Sequence, residues 1–65
     1  MFPIFATWVL SDGNKVRINI LTICAVLKGY GTGTQIDTLG EGTYMVTATP
    51  EDVMETIQGL ILLSK

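Results

Sequence analysis

The sequence predicts an α+β domain: a small, strongly bent antiparallel sheet of about five strands, with one C-terminal helix packed on it. Three observations lead there. From Ile4 to Thr47 the chain reads as short apolar stretches separated by turns rich in glycine. A helical pattern first starts at Thr49, so that helix is the available lid for the sheet. And 65 residues make one domain, residues 1–65, near the size at which a lone core barely suffices.

The first strand spans Ile4 to Leu10. Ile4, Ala6, Trp8 and Leu10 fall on one face, while Phe5 and Val9 make the other face partly apolar. A strand apolar on both sides sits centrally or at a subunit contact, and Pro3 confines its leading end to an edge or a strand start. Ser11-Asp12-Gly13-Asn14 is a hairpin turn, because glycine supplies the positive φ such turns need.

Lys15 to Ile20 alternates cleanly, with Lys15, Arg17 and Asn19 facing one way and Val16, Ile18 and Ile20 the other. Asn19 marks a turn, since its side chain can bond the backbone just downstream. A third strand follows over Ile23 to Lys28, with Ile23, Ala25 and Leu27 on one side and Cys24 and Val26 on the other. A short buried helix over Leu21 to Val26 is the competing reading, because short apolar runs discriminate poorly. Gly29-Tyr30-Gly31-Thr32-Gly33 is read as a flexible hairpin connection. Thr34 to Leu39 is a strand, Gly40-Glu41-Gly42 turns, and Thr43 to Thr47 is the last strand. Thr and Tyr suit such pleated, half-exposed surfaces.

The helix runs from Pro50 to about Leu63. Thr49 is a good N-cap, Pro50 suits the first helical position, and Glu51 and Asp52 place negative charge at the positive end of the dipole. Thr49 and Asp52 also have capping-box spacing. Val53, Ile57, Leu60 and Ile61 share one face, flanked by Met54. Gly59 weakens the interior by roughly 1 kcal/mol relative to alanine.

Composition limits what the chain can be. Charged residues are 15% and hydrophobic ones 48%, against roughly 25% charged in an average domain. Ten charges on so small a body leave apolar surface to be covered by another chain, most simply a copy of itself. The single cysteine, Cys24, and the absence of histidine leave no internal disulfide and no zinc set. A net charge of −2 disfavours nucleic-acid binding through phosphates. The apolar run Ile20 to Leu27 is too short to span a bilayer, and Met1-Phe2-Pro3 lacks a signal peptide's basic start. No membrane insertion and a cytoplasmic location are therefore expected.

No residue set writes out a reaction. The glycine loop at 29–33 has no Gly-Lys-Ser/Thr ending and leads into a strand, so it is neither a P-loop nor a dinucleotide fingerprint. Cys24 has no histidine to activate it and reads as a buried structural thiol. Glu51, Asp52 and Glu55 are accounted for by the helix start, leaving Asp37 and Glu41 without a catalytic pairing. No catalytic residue, cofactor or metal is expected. Trp8 reads as core, becoming an interface anchor if exposed, and Tyr30 offers contact area at the loop tip.

Several of these stretches also resemble the short flagellar and swarming-motility accessory proteins of the FlbD type. Leu10-Ser11-Asp12-Gly13 is similar to that family's Leu-x-Asn-Gly turn, and Val16-Arg17-Ile18-Asn19 followed by Ile23 to its strand ending in Asn before a buried Ile. Tyr44-Met45-Val46 leading into Thr49-x-Glu51-Asp52-Val53 is similar to its final strand and Ser-x-Glu-Glu-Val helix start. The likeness covers about Trp8 to Ile57. Ala48 departs from the family's usual Glu, the 29–33 loop is longer, and a Phe-bearing extension precedes the first strand. The resemblance implies a small, non-enzymatic cytoplasmic protein that acts through contacts with other proteins.

The resulting expectation is a self-associating interaction module, with Phe2, Phe5, Trp8, Arg17, Tyr30 and Tyr44 as candidate contact residues. Its binding surface would comprise strand edges, the 29–33 loop and the Phe2–Trp8 segment, with an exposed first or last strand pairing by β-augmentation. One alternative is a phage-encoded inhibitor that caps a host protein with the same surface. Another, disfavoured by charge, is a single-strand nucleic-acid binder that stacks bases on Trp8, Tyr30 and Tyr44 beside Arg17.

Overall fold

The computed structural model describes residues 4–63, so the candidate contact residue Phe2 lies outside the described residues. The chain runs β1 (Phe5–Val9), β2 (Lys15–Asn19), a 3-10 turn (Ile20–Thr22), β3 (Ile23–Lys28), β4 (Thr34–Thr38), β5 (Gly42–Val46) and α1 (Pro50–Leu63). The α+β class is as the sequence predicts, and each predicted strand appears within a residue or two of its expected bounds.

The strands divide into two antiparallel sheets, β1-β2 and β3-β4-β5. One corner joins them. Leu10 and Val46 form an antiparallel bridge, flanked by Ser11 N–H donating to the Met45 carbonyl and Thr47 N–H to the Val9 carbonyl, both at 2.9 Å. The spatial order is therefore β2-β1-β5-β4-β3. Its outer strands, β2 and β3, are consecutive and separated only by Ile20–Thr22. Three residues reach no more than about 10 Å, so the outer strands converge at that end and the sheet curls into an incomplete barrel.

The connector is bonded on both sides: Ile20 N–H donates to the Ile4 carbonyl and Leu39 N–H to the Thr22 carbonyl, each at 2.8 Å. Asn19 begins it. Its side-chain oxygen accepts from Leu21 N–H at 3.0 Å, the downstream bond expected of an asparagine turn. The helix reading of 21–26 survives only in this single turn, and strand pairing takes the rest.

The first and last strands, β1 and β5, are edge strands of their own sheets and meet only at the Leu10–Val46 bridge near their C-terminal ends. β2 and β3 form the opposite edges.

The core comprises Ala6, Trp8, Ile18, Ile20, Ile36, Val46 and Val53. Trp8 is 6% exposed. Burying an indole of that size contributes up to about 4–6 kcal/mol. Val53 of α1 is wholly buried, and Ile57 and Leu60 pack behind it. The helix thus closes the mouth of the curled sheet, and its docking is anchored one turn after its start.

That start forms as the residues require. Asp52 N–H donates to the Thr49 hydroxyl at 3.2 Å, and Val53 N–H donates to the Thr49 carbonyl at 3.0 Å. At the β1–β2 turn, Gly13 has φ +94°, and Asp12 accepts from the backbone and side-chain N–H groups of Asn14 at 3.0 and 3.1 Å.

β3 departs from simple alternation. Its register with β4 shifts between Ile23 and Ala25, the signature of a bulge that places an extra residue on one strand. Ile23 and Val26, three apart, consequently both pack on the core, while Cys24 and Leu27 are exposed. The expected buried thiol is therefore corrected to an exposed one. Its S–H donates to the Asp37 carbonyl at 3.4 Å.

Candidate interaction surface

Two outer strands, a glycine loop and the helix flank make up the surface that could meet a partner. The outer face of the β1–β2 hairpin carries Phe5, Thr7 and Val9 beside Lys15 and Arg17, all exposed. Thr7 lies opposite Arg17, which makes Phe5 its diagonal neighbour on the same face. The Arg17 guanidinium sits 5.4 Å from the Phe5 ring centre, within cation–π range. Phe5 is 47% exposed, so the pair forms a mixed apolar and cationic spot rather than a bare hydrophobic one.

Tyr30 stands at the tip of the 29–33 loop, 91% exposed. The loop beneath it is tightly bonded, with Gly29 N–H donating to the Gly33 carbonyl at 3.0 Å and Gly33 N–H to the Tyr30 carbonyl at 3.1 Å. A Cβ at Gly33 would meet the Val46 carbonyl oxygen at 2.6 Å. That glycine is required for close backbone approach, an origin the reading as a flexible connection did not anticipate. A shallow depression beside the loop is lined by Lys28, Thr32, Thr49 and Glu51 among others.

The remaining candidates are placed differently. Trp8 is buried in the core and presents no contact surface in the folded chain. Tyr44 is half-buried and packs against the core cluster, opposite the wholly buried Ile36. A base-stacking platform needs open ring faces; of the three rings proposed for one, Tyr30 alone is fully open to solvent.

A groove of about 420 Å³ runs between β3 and α1. Ile20, Ile23, Val26 and Ile57 line it together with the exposed Cys24 and Met54. Sequence reasoning missed this face. The helix end adds a second exposed apolar feature, Leu60-Ile61-Leu62-Leu63, four consecutive apolar residues that turn all the way round a helix. One stripe of a helix can face the core; Leu62 and Leu63 accordingly stand out, the latter 85% exposed. Among the described residues no group of three or more Cys, Asp or Glu side chains is disposed to hold a metal ion, and no helix is long and apolar enough to cross a membrane.

No family model, curated protein or solved structure matches this chain.

Proposed function

We propose that the protein is a small, non-enzymatic, self-associating interaction module, working in the cytoplasm through contacts with its own copies and with another protein. One observation carries this reading: large apolar side chains lie open around β3 and along the outer flank and end of α1, including Leu27, Met54, Leu62 and Leu63. A domain of this size gains stability by covering such surface. The FlbD-type likeness, with its implication of a motility accessory protein, belongs to the same proposal. It draws support from the turn, strand and helix-start residues that the two patterns share.

The test is sedimentation velocity over a range of micromolar concentrations, followed by affinity capture from the native host. A concentration-dependent oligomer is the expected result. A clean monomer throughout would remove self-association. Should capture return flagellar components, the motility reading gains; a host enzyme would favour the phage-inhibitor alternative.

A further inference from the structure

The outer face of the β1–β2 hairpin gathers positive charge that the rest of the chain does not answer. Lys15 and Arg17 are two of four cations in a chain of net charge −2, and both stand exposed on that face. All six acidic side chains lie within residues 4–63, yet neither cation forms an ion pair among the described residues. The acids are committed or remote. Both Asp12 carboxylate oxygens accept from Asn14, and Asp37 accepts from Gln35 and Thr43. Glu41 lies in the β4–β5 turn. Glu51, Asp52 and Glu55 belong to α1, which meets the inner side of the sheets through Val53.

The two cations also have apolar company. Phe5, Thr7 and Val9 form a row along β1, opposite Asn19, Arg17 and Lys15 on β2. The two rows lie about 4.8 Å apart, and neighbours within a row about 6.8 Å. Arg17 sits 5.4 Å from the Phe5 ring centre. That contact holds the guanidinium in place while its N–H edge can still meet a carboxylate. We infer that this face binds an acidic, amphipathic helical segment of another protein, with carboxylates on Lys15 and Arg17 and apolar residues on Phe5 and Val9. The inference rests on the interaction-module reading and names the partner's chemistry and the surface that receives it.

Charge and spacing select this occupant. Acids one turn apart on a helix stand about 5–6 Å from each other, close to the separation of the two cations. A helix about 10 Å wide spans both rows, so a single contact stripe can present acids on one side and apolar residues on the other. An extended polyanion fits less well. Nucleic acid is held by many cations rather than two, and the net negative charge of the chain opposes its approach, as it opposes that of an anionic bilayer.

Fluorescence anisotropy on the full chain tests the site, using a labelled helical peptide that carries glutamates one turn apart beside a row of leucines. The protein should bind it, more weakly as salt rises. Replacing the peptide's glutamates by glutamine should lower affinity by about tenfold, as should Arg17→Glu, while Arg17→Gln should cost less. Phe5→Ser should also weaken binding. Lys28→Gln removes a cation outside this face and should leave binding unchanged, and circular dichroism checks that every variant folds. No binding, equal affinity for the two peptides, or indifference to Arg17→Glu overturns the inference. So does Arg17-dependent binding of phosphatidylserine vesicles or a single-stranded oligonucleotide in preference to the peptide. Capture from the native host keeps the two failures apart: the same host protein recovered by the wild type and by Arg17→Glu overturns this surface while the interaction reading stands.

Discussion

The Thr34 hydroxyl, wholly buried, donates to the Ala48 carbonyl at 2.7 Å. The bond ties the first residue of β4 to the segment that leads into α1, two residues before the helix begins. A buried hydroxyl without a partner is expensive, and so is a buried carbonyl. This pair satisfies both while fixing where the helix approaches the sheet. Thr34→Val keeps the shape and removes the donor, so the Ala48 carbonyl loses this partner. The expected loss is about 1–3 kcal/mol of stability, read as a lower urea midpoint with an unchanged denaturant slope. An unchanged midpoint would mean that solvent already serves the Ala48 carbonyl.

Two glycines should respond to alanine with opposite signs. At Gly33 the new methyl would press on the Val46 carbonyl oxygen, a backbone atom with little freedom to yield. Gly33→Ala is expected to destabilise by about 1–3 kcal/mol, the range for overpacking. At Gly59, inside α1, nothing lies within 4 Å of the added atom, and the helix gains a better former. Gly59→Ala should stabilise by up to about 1 kcal/mol. Thermal unfolding of the two variants side by side checks both signs, and a stabilising Gly33→Ala would contradict the close approach of the loop to β5.

The contrast shows which features were legible from residues and which depended on assembly. Helix α1 was readable from Thr49, Pro50 and the acids because capping is local: the bond from Asp52 N–H to Thr49 forms within one turn. The Asp12–Gly13 hairpin was readable for the same reason. The burial of Trp8 followed from its place in an alternating strand. By contrast, the β3 bulge depends on how β3 registers against β4, which no local pattern encodes, and Cys24 changed from buried to exposed with it. The joining of the two sheets arises from the Leu10–Val46 bridge, a contact across 36 residues of chain. Among the candidate contact residues, Phe5, Arg17 and Tyr30 stand on the surface, whereas Trp8 and Tyr44 were drawn inward because their alternation places them beside Val16 and Ile36.

Thr49 tests how much of the helix is held by its cap. Thr49→Ala removes the acceptor for Asp52 N–H and should cost about 1 kcal/mol, with a range of 0.5–2. Thr49→Asp retains an acceptor and adds negative charge at the positive end of the dipole, so it should recover most of that loss. Far-ultraviolet circular dichroism during urea unfolding reads both. Equal losses in the two variants would show that the hydroxyl bond contributes little beyond what water provides.

Trp8 decides whether the indole serves the fold or a partner. Its side chain lies in the core with Ile18, Ile36 and Val53, and truncating a buried aromatic removes about 3–5 kcal/mol. A domain of this length has only about 3–10 kcal/mol in total, so Trp8→Ala should leave the chain at or beyond the edge of unfolding. Trp8→Phe retains most of the volume and should remain folded with a lower midpoint. Because Trp8 is the single tryptophan, the alanine variant must be followed by circular dichroism rather than by fluorescence. If the indole acted at an interface instead, Trp8→Phe would weaken association without changing the unfolding of the monomer. Its burial predicts the reverse: the monomer's midpoint falls, and association among molecules that remain folded is unaltered.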